Sequence, residues 1–168
     1  MKWNRTQHGP IEGDLIDYLE NLIIEELDAG NKLKICIGTD SQKQGKNYKF
    51  ASVIIIERKV PMGIEKGKMV YKGAGAMELY SISYEPFMKI NERMIKEVEK
   101  TVQIGWDIFD LLDLYEIDLE LHADINQNAK YASNVALNSA LGYMSGIPCT
   151  VRVKPDAYAA STGADKLC

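Results

Sequence analysis

Two aspartates, each at the end of an apolar run, are the residues of this sequence that most clearly suggest chemistry. Asp40 ends the segment KLKICIGTD, and Asp124 ends LELHAD. Each run predicts a β-strand, so each aspartate is expected at the carboxyl end of a strand. If the two strands are parallel neighbours, the carboxylates lie side by side and repel each other. A divalent cation with oxygen ligands, such as Mg²⁺, relieves that repulsion.

Two further acids are expected to join this pair. Glu85 is predicted at the start of a long helix, and Asp165 in a short last helix. Four acids around one cleft are able to hold two ions about 4 Å apart, which activate a water and stabilise a leaving oxygen. Glu92 takes the helix position instead of Glu85 if the helix begins later.

Polar residues near the acids are candidates for substrate binding. Ser41 and Gln42 directly follow the first aspartate, where the alternative is an ordinary turn after a strand. Lys154 is expected at the mouth of the cleft, where its ammonium would meet a phosphate. Asn126, like Asn128, either bonds a sugar hydroxyl or caps the next helix.

His122 and a row of basic residues each allow two interpretations. His122 is two residues before the second aspartate and therefore lies on the same strand face. It is a candidate metal ligand or acid/base, or a hydrogen-bonded structural residue. Lys89, Arg93, Lys96 and Lys100 recur at helical spacing. They form either a track for backbone phosphates or a solvated helix face.

The elements that must position these residues follow one another in a definite order. The sequence predicts, in chain order, a helix, three hairpin-linked strands, a long helix, a fourth strand, a helix, a fifth strand and a last helix, at residues 10–28, 32–40, 48–58, 68–79, 83–114, 117–124, 128–145, 149–154 and 158–167. Pro61–Gly67 is predicted as a loop. Short turns make the first three strands antiparallel, and the long helix lets strands four and five run parallel to the first. The fold class is therefore α/β, a mixed five-stranded sheet flanked by helices.

Composition limits the classes of protein that this chain fits. Its 168 residues suggest a single domain, with a helical extension at 1–30 and a core at 31–168. With 20 basic and 24 acidic residues, the net charge of −4 lacks the basic signature of many nucleic-acid binders. Three cysteines without a CxxC pair indicate a reducing, cytoplasmic compartment. No segment is typical of a membrane span or a signal peptide.

The order of the elements and the positions of the acids resemble the ribonuclease H-like superfamily over roughly residues 31–168. The resemblance is carried by TDSQ, HADIN and VRVKPDAYAASTGADKLC. More narrowly, GTDSQ, ISYE and KPD..AAS..AD are similar to the YkuK-type family of ribonuclease H-like proteins. This resemblance implies that Asp40, Glu85, Asp124 and Asp165 bind two Mg²⁺ or Mn²⁺ ions and are catalytic.

The resemblance implies a metal-dependent nuclease that hydrolyses RNA, RNA–DNA hybrid or structured DNA. A non-catalytic module that binds nucleic acid or protein is the alternative. The net acidity and the absence of a histidine between Pro155 and Ala164 favour that alternative. A hydrolase of small phosphoesters is the third hypothesis. The sequence does not specify the oligomeric state.

Overall fold

The computed structural model describes residues 1–125 and 134–168, and the side chains of 134–137 are left out of the description. Asn126, and with it the first part of the predicted helix 128–145, therefore lies outside the described residues. Within the described residues, no helix is long and apolar enough to cross a membrane.

Seven strands, three α-helices and a C-terminal helical segment make up the described chain. The strands are β1 (Asn4–Arg5), β2 (Gly9–Pro10), β3 (Lys32–Gln44), β4 (Asn47–Glu65), β5 (Lys68–Pro86), β6 (Asp118–Ala123) and β7 (Thr150–Val153). The helices are α1 (Leu15–Asp28), α2 (Ile90–Leu114) and α3 (Asn134–Met144). The C-terminal segment consists of a π-helical part, Ala159–Ala164, and a 3₁₀ turn, Asp165–Leu167.

The strands form one mixed sheet in the order β2-β1-β5-β4-β3-β6-β7. β3, β4 and β5 pair antiparallel, whereas β6 pairs parallel to β3 and β7 parallel to β6. The predicted α/β class and these strand directions are confirmed. The sheet has two strands more than expected because the short β1–β2 pair adds to the edge of β5.

The β4–β5 hairpin is much longer than the sequence predicted. The predicted loop Pro61–Gly67 is wrong for most of its length, because the ladder continues to the pair Glu65 and Lys68. Two register shifts, near Arg58 and Met62, let Pro61 be accommodated within the ladder. Beyond Lys59 this ribbon has no β3 partner among the described residues, so it projects from the sheet as a two-stranded arm.

Helix α1 begins later than the predicted Pro10, because Gly9 and Pro10 pair with β1. Asp14 caps the helix, and its side chain accepts a hydrogen bond from the Asp17 amide at 3.0 Å. The helix ends at Asp28, and Gly30, just after the C-cap Ala29, has a φ of +80° that suits glycine.

Each face of the sheet is covered by different elements. The larger core lies between the sheet and helices α1 and α2, and contains Ile35, Ile37, Ile54 and Leu121. The smaller core lies under the C-terminal segment and contains Cys36, Ala51, Val53, Ile55, Ala159 and Ala164.

Gly38 permits the close approach of the C-terminal segment to β3. A Cβ atom at this position would lie 2.3 Å from the Ala160 amide nitrogen and 2.6 Å from the Ala159 carbonyl carbon. Only a residue without a side chain fits there, so this glycine determines how near the C-terminal acid comes to the strand ends.

Candidate metal centre

The parallel pair β3–β6 brings two of the predicted acids to one end of the sheet. Gly38 pairs with His122, and Asp40 and Asp124 each lie two residues further along. Because paired residues and those two further on share a face, both aspartates belong to the face covered by the C-terminal segment.

The pKa of Asp40 reflects this proximity. Burial, together with repulsion by Asp124 and Asp165, raises the pKa of its carboxyl to about 6, although a hydrogen bond from the Ser41 backbone and the nearby Arg93 oppose the shift. Asp165 is exposed and begins the 3₁₀ turn, rather than lying inside an ordinary helix as predicted. The three aspartates therefore form a cluster in which negative charge is incompletely balanced.

Glu97 is a further acid of this cluster, and it was not among the predicted site residues. It lies in the second turn of α2, is only 8% exposed, and accepts a 2.6 Å hydrogen bond from the Ser41 hydroxyl. Burial raises the pKa of Glu97 to about 7, with additional repulsion from Asp40 and Asp124. Arg93 Nε, 3.9 Å from its Oε1, offsets part of this effect.

A ladder of polar contacts fixes α2 against β3 and so aims Glu97. Thr101 Oγ1 donates to Thr39 Oγ1 at 3.0 Å, and the Arg93 guanidinium donates to the Ser41 carbonyl at 3.0 Å. Four residues of helix rise about 6 Å, close to the roughly 6.6 Å covered by two residues of strand. Helix positions 101 and 97 therefore face strand positions 39 and 41, respectively, and Arg93 reaches the backbone of position 41.

The predicted helical position of Glu85 is wrong. Glu85 lies in β5 opposite Tyr48, because β5 runs on to Pro86 and α2 begins only at Ile90. Its carboxylate binds Lys100 Nζ at 2.9 Å, and that hydrogen bond lowers the pKa of Glu85. Its neighbours are thus cations rather than the acid cluster.

Glu92, the alternative helix acid, belongs to the helix cap. Its Oε2 accepts a 2.9 Å hydrogen bond from the Lys89 amide in the first turn of α2. Within the predicted basic row, Arg93 contacts the acid cluster while Lys96 pairs with Glu99. The row is therefore divided among local partners in the structure.

Lys154 lies beside the second aspartate, at the predicted mouth of the cleft. Its Nζ is 2.9 Å from Asp124 Oδ1. Within the described residues, this buried oxygen nevertheless has no hydrogen-bond partner of acceptable geometry. The Asp124 carboxylate is therefore paired with an ammonium in this structure, at the position where the sequence predicts a metal ion.

The three remaining residues predicted to bind substrate, Ser41, Gln42 and Asn126, have different surroundings. Ser41 is buried and its hydroxyl is used by Glu97, so it orients an acid in this structure. Gln42 is exposed beside the cluster. Asn126 lies outside the described residues.

Cys36, Glu120 and His122 form a second group, with ligand atoms within 4.8 Å of one another. His122 Nδ1 accepts a 3.0 Å hydrogen bond from the Ala159 amide, so the ring proton lies on Nε2. That Nε2 donates to Glu120 Oε2 at 3.0 Å and has no lone pair for a metal. Burial lowers the pKa of His122, which keeps the ring neutral. His122 is therefore a structural residue that holds the C-terminal segment.

The fold and the acid cluster define a class of protein. It is an α/β protein whose mixed sheet holds carboxylates close together where the parallel pairing of two strands, β3 and β6, ends. A family model described as Ribonuclease H-like matches residues 15–168. The chain belongs to this ribonuclease H-like family, and the predicted membership is confirmed. Comparisons with curated proteins and with solved structures gave no significant match.

The sequence did carry one signal for Glu97. Met94, Val98 and Thr101 are buried residues on the inner face of α2, and Glu97 lies among them at helical spacing. A charged residue on an apolar stripe is uncommon unless it is paired or functional. That anomaly distinguishes Glu97 from the exposed Glu92.

Proposed function

We propose that this protein is a divalent-metal-dependent nuclease whose metal ligands are Asp40, Asp124, Glu97 and Asp165. The observation that carries the proposal is the meeting of a half-buried carboxyl, Asp40, with a buried one, Glu97, whose pKa values are raised to about 6 and about 7. Folding brings these acids together although their mutual repulsion opposes it. Strongly perturbed carboxyls grouped at one sheet edge are typical of functional sites.

The chemistry of the donors fits Mg²⁺ or Mn²⁺. All four proposed ligands offer carboxylate oxygens, the donors that hard divalent cations prefer. The Asp124 carboxylate lies 2.9 Å from the Lys154 ammonium, a positive charge that a metal ion would displace. When bound, two such ions supply a water of lowered pKa and charge compensation at the leaving oxygen.

The protein's own residues would bind and orient the substrate. Ser41 donates a hydrogen bond to Glu97 Oε1 and Arg93 Nε approaches the same oxygen, so these two residues would hold Glu97 in one orientation. Lys154 Nζ lies 2.9 Å from Asp124. When Asp124 binds a cation, the Lys154 ammonium would instead pair with a phosphate oxygen of the substrate. The substrate class that fits is a polynucleotide: RNA, RNA–DNA hybrid or structured DNA.

A cleavage screen tests the proposal. Purified protein would be incubated with hybrid, duplex, branched and single-stranded substrates in Mg²⁺ or Mn²⁺. We expect Asp40→Asn and Glu97→Gln each to lower the rate at least about a hundredfold, as loss of a metal ligand does. Glu85→Gln, the matched control in β5, should stay within about twofold of the parent.

If Glu85→Gln lowers the cleavage rate as much as Glu97→Gln does, the assignment of Glu97 as the metal ligand from α2 is wrong. Absence of metal-dependent cleavage on every substrate, with no Mn²⁺ binding by calorimetry, would reject the nuclease.

The second candidate, a non-catalytic binding module, is favoured by the Lys154–Asp124 contact, because an internal ammonium there compensates an acid without any metal.

A further inference from the structure

Two stacked aromatic rings, the partly buried Tyr48 and the exposed Phe87, lie near Glu97 on the α2 side of the sheet. The rings of Tyr48 and Phe87 have centroids 5.8 Å apart and an interplanar angle of 24°. Phe87 is 61% exposed, and neither ring belongs to the two hydrophobic cores. Core packing therefore does not account for this pair.

A cationic side chain lies over each ring. Lys43 Nζ lies 5.1 Å from the Phe87 centroid, and the Arg93 guanidinium carbon lies 5.6 Å from the Tyr48 centroid. Lys89 is exposed between Phe87 and α2. Aromatic faces bordered by cations suit a ligand that has both a flat ring and negative charge.

The aromatic pair is connected to the acids by β3 and by Arg93. Lys43 pairs with Tyr48 across the hairpin, three residues beyond Asp40 and its partner Ala51. At about 3.3 Å per residue, the pair lies roughly 10 Å along the strand from Asp40, and the odd offset of three residues places it on the α2 face, opposite to the Asp40 side chain. Arg93 contacts Tyr48 while its Nε approaches Glu97.

We propose that Tyr48 and Phe87 form a stacking platform for an unpaired nucleobase of a single-stranded polynucleotide. Lys43 and Arg93 would bind the adjoining phosphates. This proposal rests on the proposed nuclease and specifies its substrate class, since bases inside a duplex have both faces covered by their neighbours. Every base presents a π-face, so the platform is tolerant of sequence.

Binding is tested apart from cleavage, on an Asp40→Asn background without divalent cations. Fluorescence anisotropy with a labelled single-stranded oligonucleotide would compare the parent with Phe87→Leu. We expect Phe87→Leu to weaken binding about tenfold, the scale of one lost stacking contact. Trp106→Leu, which removes an exposed aromatic from α2 away from this end of the sheet, is the matched control and should change binding less than twofold.

An abasic-site series makes the test specific and independent of folding defects. Removing one base should weaken binding by the parent at a single oligonucleotide position, and Phe87→Leu should be insensitive to that removal. Binding unchanged by Phe87→Leu, undetectable binding by the parent, or equal affinity for a duplex would each overturn the platform. Cleavage by protein with native Asp40 is scored separately, so a failed nuclease and a failed platform give different results.

Discussion

At the scale of single residues, the central feature is a glutamate that is buried where its charge is disfavoured. The pKa of Glu97 is raised to about 7 from an ordinary 4.5 because burial and two aspartates oppose its ionisation. The folded protein therefore binds this proton more tightly than the unfolded chain does. The resulting stabilisation is complete below about pH 4.5 and is lost as the pH rises through about 7.

Glu97→Gln should remove this pH dependence. Without divalent cations, we expect the unfolding free energy of the parent to fall between about pH 5 and pH 8, by on the order of 2 kcal/mol more than that of Glu97→Gln. Asp40 contributes in the same direction through its pKa of about 6. Urea denaturation at each pH, with a chelator present, measures the difference.

Glu99→Gln is the control for that experiment because Glu99 lies on the exposed side of the same helix, paired with Lys96 at 3.4 Å. Its slope with pH should match that of the parent. Adding Mg²⁺ should flatten the slope of the parent, since a cation bound to the native acids stabilises their ionised form. A slope unaffected by Glu97→Gln would show that the charge of Glu97 is not the cause.

Lys154 gives a second prediction at this scale. Because its ammonium lies 2.9 Å from Asp124, it competes with a metal for that carboxylate. We expect Lys154→Ala to bind Mn²⁺ a few-fold more tightly by isothermal calorimetry and to cleave more slowly. Lys166→Ala, which changes a more exposed lysine of the C-terminal segment, provides the comparison. Weaker Mn²⁺ binding in Lys154→Ala would mean that the ammonium supports the site rather than competing for it.

Single residues also show where sequence-based reasoning succeeds. The two aspartates were predictable because an apolar run that stops at a charge is visible in the sequence. The predicted strand end at Asp40 is nevertheless wrong, because β3 continues to Gln44 through its pairing with β4. Glu97 was not selected because ordinary propensity allows the helix to begin at Ser83, which gives the first turn to Glu85. The ladder between β4 and β5 overrides that preference and carries Ser83, Glu85 and Pro86 into a strand.

At the scale of elements, the C-terminal segment is held to β3 by a contact that depends on a missing side chain. The Cβ atom of an alanine at position 38 would overlap the backbone of Ala160. Backbone atoms of a packed segment have little freedom to move aside. The segment carrying Asp165 would have to shift.

Gly38→Ala is therefore expected to lower the unfolding free energy by about 1 to 3 kcal/mol, the usual cost of overpacking. It should also weaken Mn²⁺ binding, because Asp165 moves away from Asp40. Thermal unfolding and metal calorimetry measure the two effects. In Gly142→Ala, by contrast, the added Cβ lies in α3 and meets no atom of the described residues within 4 Å, so stability should rise by up to about 1 kcal/mol. Equal behaviour of the two variants would contradict the close packing.

Element lengths show what the sequence could not specify. The strand cores were predictable from β-branched residues such as Ile54 and Ile55, but the ends of β4 and β5 extend beyond those signals. Pro61 and two glycines suggested a loop, whereas cross-strand pairing with register shifts continues the ladder there. Pairing of this kind depends on the partner strand and is not encoded in either strand alone.

At the scale of the whole molecule, the acids and the hairpin arm lie at opposite ends of the sheet. Asp40 pairs with Ala51, and the arm begins beyond Lys59, which pairs with Lys32 at the start of β3. At about 3.3 Å per residue these points are roughly 25 Å apart along β4. The arm includes three lysines, Lys66, Lys68 and Lys72, and one acid, Glu65, whereas the chain as a whole carries a net charge of −4.

Replacing residues 60–72 by a two-residue Asn-Gly turn between Lys59 and Gly73 tests whether the arm matters for the fold. These positions already face each other across the ladder, and Asn-Gly favours a tight hairpin. Most of the removed side chains are exposed, among them Met62 and Ile64, so little buried area is lost. We expect the unfolding free energy to change by less than about 1 kcal/mol and metal-dependent cleavage of a short oligonucleotide to persist. Loss of the folded state on circular dichroism would show that the arm contributes to the core, and loss of cleavage by a folded variant would show that substrate binding spans the length of the sheet.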